Sequence, residues 1–230
     1  MSTAPRRVRV KICGVTNRDD AETAVALGAD GLGFNLYAGS KRCIDLDREG
    51  EWIAALPPLV MRVAVLVNAT LDEARRVAAH PAIHCVQFHG DEDADYCAVF
   101  ARSGRPFIKA LRLCDSGVSA QASHFATTHL LLDADAGAAF GGTGTPIDLG
   151  LAAEVVRARP EMHVFLAGGL RAETVGTAIA AVRPYAVDVA SGVELADDPR
   201  RKDPKRMAAF IDAVREAGEA PRLPFSSWQL

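Results

Sequence analysis

A short β-rich run followed by a longer segment with helical spacing recurs eight times along this chain, and no other feature restricts its fold as much. The runs are Val8–Ile12, Gly31–Leu36, Arg62–Val67, Cys85–His89, Phe107–Leu111, His129–Leu132, Val164–Ala167 and Ala186–Val189. The helical segments are Asp19–Leu27, Asp47–Leu56, Leu71–Ala79, Asp91–Ala101, Gly117–Phe125, Leu149–Ala158, Ala172–Val182 and Pro204–Ala217. Several open on a cap or an acidic first turn, as Asp91-Glu92 and Thr70-Leu71-Asp72-Glu73 do. Strict strand–helix alternation calls for a parallel sheet, because each helix returns the chain to start the next strand in the same direction. Eight such units are the number that closes into a barrel. The expected fold is α/β: a single (β/α)8 (TIM) barrel domain over residues 1–230, its core over about 8–217 and a tail over 218–230. An open doubly wound sheet is disfavoured, since no Gly-x-Gly-x-x-Gly turn follows the first run.

The charge balance excludes some functions. With a net charge of −3 there is no broad basic field for nucleic acid, so any phosphate must be held locally. Five cysteines (Cys13, Cys43, Cys85, Cys97, Cys114) are odd in number, widely spread and without a CxxC pair, which argues against a disulfide framework and a structural zinc site. A reducing cytoplasm is the expected compartment. Met1 to Arg7 is short and basic and runs straight into a strand rather than a signal segment, and no stretch approaches a membrane span. No segment marks itself as an interface helix, so a monomer is the default expectation and a homodimer the alternative.

In a barrel of this kind the chemistry lies at the carboxyl ends of the strands. The first run leads to Cys13, the second through Asn35 to Ser40-Lys41-Arg42, the third to Asn68, and the fourth carries Gln87-Phe88-His89-Gly90. The sixth leads to Asp133, the seventh to Gly168-Gly169, and the eighth runs from Asp188 through Ser191-Gly192 to Glu194. Gly168, Gly169, Ser191 and Gly192 supply places where backbone N–H groups can approach a ligand closely before a helix start, and together they read as a phosphate cradle. Asp133 ends an apolar strand, where desolvation would raise a carboxyl pKa and keep it protonated as a general acid; a cap for the next turn is the plainer reading. Gly141-Gly142-Thr143-Gly144 reads as a lid or as a flexible connection. Among the cysteines only Cys13 combines a strand terminus with a following glycine at this rim. As a catalytic base it needs local positive charge, from Lys11, Arg42 or a ligand; as a plain residue it is a small buried hydrophobe.

These segments, in order from about Val8 to Arg215, resemble phosphoribosylanthranilate isomerase. The resemblance is carried by Lys11-Ile12-Cys13-Gly14-Val15-Thr16-Asn17, Gly28-Ala29-Asp30-Gly31-Leu32-Gly33-Phe34, Ser40-Lys41-Arg42 and Val86-Gln87-Phe88-His89-Gly90. It continues through Leu131-Leu132-Asp133, Gly141-Gly142-Thr143-Gly144, Ala167-Gly168-Gly169-Leu170 and Asp188-Val189-Ala190-Ser191-Gly192-Val193-Glu194. It implies an Amadori rearrangement of N-(5-phosphoribosyl)anthranilate in tryptophan biosynthesis, with a phosphosugar substrate and neither metal nor organic cofactor. It further implies Asp133 as general acid, Cys13 as general base and Arg42 facing the anthranilate carboxylate. It also implies that His89 and Asp188 line the pocket and that the strand-seven and strand-eight turns hold phosphate. Three positions depart from the family pattern: Ala190 replaces a frequent serine, Cys43 a larger residue, and Leu195 to Lys202 form a longer, charged connection. A carbon–carbon lyase using Lys109 as a Schiff-base amine is a competing reading, set against an interior barrel lysine that balances carboxylates. A phosphosugar-binding protein without turnover is another.

Overall fold

The computed structural model describes residues 7–114, 117–134 and 146–219. Eight strands, β1 (Arg9–Cys13), β2 (Gly31–Asn35), β3 (Met61–Leu66), β4 (Cys85–Phe88), β5 (Phe107–Leu113), β6 (His129–Ala134), β7 (His163–Leu166) and β8 (Ala186–Val189), form one closed barrel. Each strand pairs in parallel with the next, and β8 pairs with β1. The helices are α1 (Arg18–Leu27), α2 (Leu46–Ala54), α3 (Leu71–Ala79), α4 (Ala94–Ala101), α5 (Val118–Ala122), α6 (Leu149–Ala158), α7 (Ala172–Val182) and α8 (Pro204–Glu219), and a short 3₁₀ turn spans Ser191–Val193.

Strand periodicity divides the core in two. Val63, Cys85, Ile108, Ala110, Leu131 and Ala167 pack inside the barrel. Alternate residues such as Ile12, Leu32, Phe34, Val86, Phe88 and Leu130 pack outward, in a cluster that includes Ala24, Ile53 and Phe210 of the helices. Helix starts are fixed by short polar side chains on orphan amides: Asn17 caps α1, Thr70 α3, Asp93 α4 and Asp148 α6.

Five details differ from the sequence expectation. Helix α4 begins at Ala94, not Asp91, because Glu92 is buried and its carboxylate accepts from Lys109 Nζ (2.7 Å) and from the amides of Asn68 (2.8 Å) and Gly90 (3.0 Å). Lys109 is therefore not an interior barrel lysine. It shares the outward face of β5 with Phe107 and Leu111 and also donates to Gly90 O. Helix α5 stops at Ala122, where the Ser123 hydroxyl turns back to the carbonyl of Ala120. Strand β6 runs one residue past Asp133, and α8 extends through Gly218 and Glu219, the first two residues of the expected tail. The Gly141–Gly144 loop and residues 220–230 lie outside the described residues. Among those described, no helix is long and apolar enough to cross a membrane.

Candidate active site

Cys13 closes β1 on the inward face, and Gly14 follows with φ +70°, a left-handed turn suited to glycine. Two residues earlier on the same face, Lys11 places its ammonium 2.7 Å from Asp188 Oδ1 of the neighbouring β8, and both partners are buried. Gly33 of β2 makes room for this group: a Cβ there would stand 2.7 Å from Cys13 Sγ and 3.1 Å from Lys11 Nζ. Burial opposes the charge on Lys11, but Asp188 and Cys13 outweigh it and raise its pKa. Cys13 is partly exposed at the mouth, yet desolvation by the barrel wall and then the Asp188 anion push its thiol up from 9.0. Lys11 and Lys202 pull the other way. Of the cations named at the sequence level, Lys11 is thus the one that acts on the thiol. By contrast, burial pushes the Cys85 thiol up to about 12 and that of Cys97 to about 11.

Arg42 crosses Gly14 so closely that a Cβ on the glycine would meet its Cδ at 2.3 Å. Its Nε donates to Glu194 Oε1 (2.5 Å) and Nη2 to Oε2 (2.9 Å), a buried two-pronged pair. Burial works against the Glu194 carboxylate, but the Arg42 hydrogen bonds and the charges of Lys202 and Arg42 prevail and lower its pKa. Lys202, buried, adds a bond to Glu194 Oε1 (3.2 Å) and another to Ala190 O (3.2 Å). Arg200 in the same connection donates to the carbonyls of Lys41 (3.2 Å) and Cys43 (3.0 Å). The charged connection from Leu195 to Lys202 therefore clamps the loop carrying Arg42. No sequence signal singled out Lys202, since its partners are brought together only by the fold.

On β6, Asp133 Oδ1 accepts from the Ala134 amide (2.9 Å), and Oδ2 lies 3.2 Å from His89 Nε2. His89 follows β4 and is held by its own amide on Leu66 O (2.8 Å) and by Gln87, whose Nε2 is 2.7 Å from His89 Nδ1. Gln87 belongs to the Val86–Gly90 motif without an assigned role, and its i, i+2 spacing from His89 on a strand is the signal that points to it. Gly168 (φ +88°) and Gly169 (φ +64°) make the turn after β7. A Cβ on Gly168 would come within 2.8 Å of the Ala134 amide nitrogen, and one on Gly192 would strike Leu170 O at 2.1 Å. The two glycine turns are thus packed against each other and against the end of β6. Round the closed sheet, β6, β7, β8 and β1 are consecutive, so Asp133 and Cys13 flank the glycine turns on one arc of the mouth.

A cavity of about 260 Å³ opens at the opposite, amino-terminal mouth, among Arg9, Met61, Ile108, His129, Phe165 and Tyr185. Lys11 forms part of its wall, but neither Cys13 nor Asp133 does.

The family model described as N-(5'-phosphoribosyl)anthranilate (PRA) isomerase matches residues 10–213. The N-(5'-phosphoribosyl)anthranilate isomerase of Acidithiobacillus ferrooxidans is 44% identical over 211 residues, 90% of this chain and 98% of the relative. A crystal structure of monomers generated from the dimeric enzyme of Thermotoga maritima superposes with a TM-score of 0.77 at 34% identity, covering 91% of this chain and 99% of that one. A phosphoribosylanthranilate isomerase solved with reduced 1-(o-carboxyphenylamino)-1-deoxyribulose 5-phosphate gives the same TM-score of 0.77, also at 34% identity with 91% and 99% covered.

Proposed function

The chain belongs to the N-(5'-phosphoribosyl)anthranilate isomerase family, and on that premise we propose how its rim carries out the Amadori rearrangement of the family. The observation that supports the reading most is the arc itself: a carboxyl group beside an imidazole at one end, a thiol beside an ammonium at the other, and two glycine turns between them.

The 5-phosphate of N-(5-phosphoribosyl)anthranilate is held at Gly168, Gly169, Ser191 and Gly192. Asp133 gives a proton to the furanose ring oxygen, the C1–O bond breaks, and the opened sugar is a Schiff base of anthranilate. Cys13, as thiolate, removes the proton from C2, and the bonding pair becomes the double bond of an enolamine. Tautomerisation of the enolamine gives the ketone of 1-(2-carboxyphenylamino)-1-deoxyribulose 5-phosphate. Lys11 faces the thiolate as it forms, and Asp188 fixes the ammonium in place. Arg42 faces the anthranilate carboxylate with its guanidinium oriented by Glu194. His89 and Asp188 line the pocket beside the acid and the base. The compartment is the cytoplasm and the working unit a monomer, which sedimentation at assay concentration distinguishes from a dimer.

The test generates the substrate in place and follows loss of its anthranilate fluorescence. The protein is expected to abolish the signal catalytically; an unchanged decay would overturn the reading. The lyase alternative fails on geometry, because the Lys109 amine faces outward and is tied to Glu92 and Gly90. Borohydride should accordingly trap no substrate on it.

A further inference from the structure

Gln87 has no part in the reaction as described, yet it is wholly buried in the barrel, two residues before His89 on the inward face of β4. Its Nε2 lies 2.7 Å from His89 Nδ1, and His89 Nε2 lies 3.2 Å from Asp133 Oδ2, so three side chains stand in line. Among the described residues, Gln87 Oε1 has no hydrogen-bond partner.

The chemistry of the groups gives this line a direction. An amide nitrogen can only donate, and a neutral imidazole carries one N–H and one lone pair. With Gln87 Nε2 as donor, His89 Nδ1 is the acceptor and the ring proton sits on Nε2, pointing at Asp133. Turning the amide over would leave both buried N–H groups without partners, where the observed orientation leaves one N–H and the carbonyl oxygen. Buried N–H groups without partners are the rarer arrangement, and under-satisfied carbonyls the better tolerated.

The direction matters to the acid. With the ring proton on Nδ1 instead, His89 would offer its lone pair to Asp133 and hold the very proton that Asp133 must give to the ring oxygen. With it on Nε2, His89 donates a hydrogen bond that strengthens as Asp133 becomes a carboxylate, so it favours the transition state over the ground state. We propose that Gln87 is a positioning residue for the acid step: its amide fixes His89 in the Nε2–H tautomer and so aims a donor at Asp133 as the proton leaves. This rests on Asp133 being the general acid.

The experiment labels histidine with ¹⁵N and reads the protonated ring nitrogen of His89 in the wild-type protein, Gln87→Leu and Gln87→Glu, alongside kcat and KM. The wild type is expected to carry its proton on Nε2. In Gln87→Glu the new carboxylate accepts from Nδ1, which then becomes protonated. Both variants should lose about 10–100-fold in kcat, by analogy with partners that orient a metal-bound imidazole, with KM little changed. A proton on Nδ1 in the wild type overturns the proposal even if neither variant folds, and so does wild-type kcat in Gln87→Leu. Asp133→Asn, assayed in parallel, separates the two levels. If it turns over normally the acid assignment itself fails; if it is inactive while wild-type His89 carries its proton on Nδ1, only the role of Gln87 fails.

Discussion

The Cys13 thiol sits between opposing charges, and the two can be removed separately. Lys11 stabilises the thiolate, whereas Asp188 and the loss of water destabilise it; Lys202, tied to Glu194 and through it to Arg42, adds a second favourable cation. Removing the cation should therefore move the thiol titration up and removing the anion should move it down. In a protein with Cys43 and Cys114 replaced by alanine, the pH dependence of Cys13 alkylation is expected to shift to higher pH in Lys11→Met and to lower pH in Asp188→Asn. Shifts of the same sign would show that the pair is only structural. Lys11→Met leaves a buried carboxylate unpaired, a loss of about 3–5 kcal/mol, so the titration is read on protein that calorimetry shows to be folded. As the proposed base Cys13 works deprotonated, and burial together with the Asp188 anion raises its pKa, so kcat/KM of the wild type should climb from neutral into alkaline pH. A profile flat from about pH 6 to pH 9, where the thiolate fraction of such a thiol rises roughly tenfold per pH unit, would contradict this. Cys13, Asp133 and Lys11 were legible because strand ends and i, i+2 spacing can be read locally. The Arg42–Glu194 pair was not, since its partners are 152 positions apart and only barrel closure joins them.

At the scale of elements, the alternation of runs was readable because buried parallel strands appear as continuous apolar stretches, and the predicted limits of α3, α6, α7 and β8 match those observed. Helix α4 was misplaced for a physical reason: Glu92 resembles a first-turn acid, but the carboxylate is consumed by Lys109 and two amides, leaving Asp93 to cap. The turns after β7 and β8 are more tightly constrained than composition reveals. A methyl group on Gly192 would stand 2.1 Å from the Leu170 carbonyl oxygen, so one backbone must move. Gly192→Ala is expected to weaken inorganic phosphate binding at least tenfold, about 1.4 kcal/mol, as measured by calorimetric titration. Unchanged affinity would remove these turns from the phosphate site.

For the whole molecule, closure is what turns separate strand ends into one site. The pairing of β8 with β1 brings Asp188 onto Lys11 and completes the arc from Asp133 through the glycine turns to Cys13. The sequence could indicate eight units and the end of the barrel that carries chemistry, but not the side on which each charge finds its partner. Lys109 faces out and Lys11 faces in, although both are buried lysines in apolar strands. The central claim is that Cys13 and Asp133 divide one proton-transfer reaction between them. It is tested most directly by the kcat of Cys13→Ser and Asp133→Asn in the fluorescence assay, with inorganic phosphate affinity measured on the same preparations. Each variant should lose about 10²–10⁴-fold in kcat while phosphate affinity stays near wild type. Turnover near the wild-type rate by either variant would contradict the account.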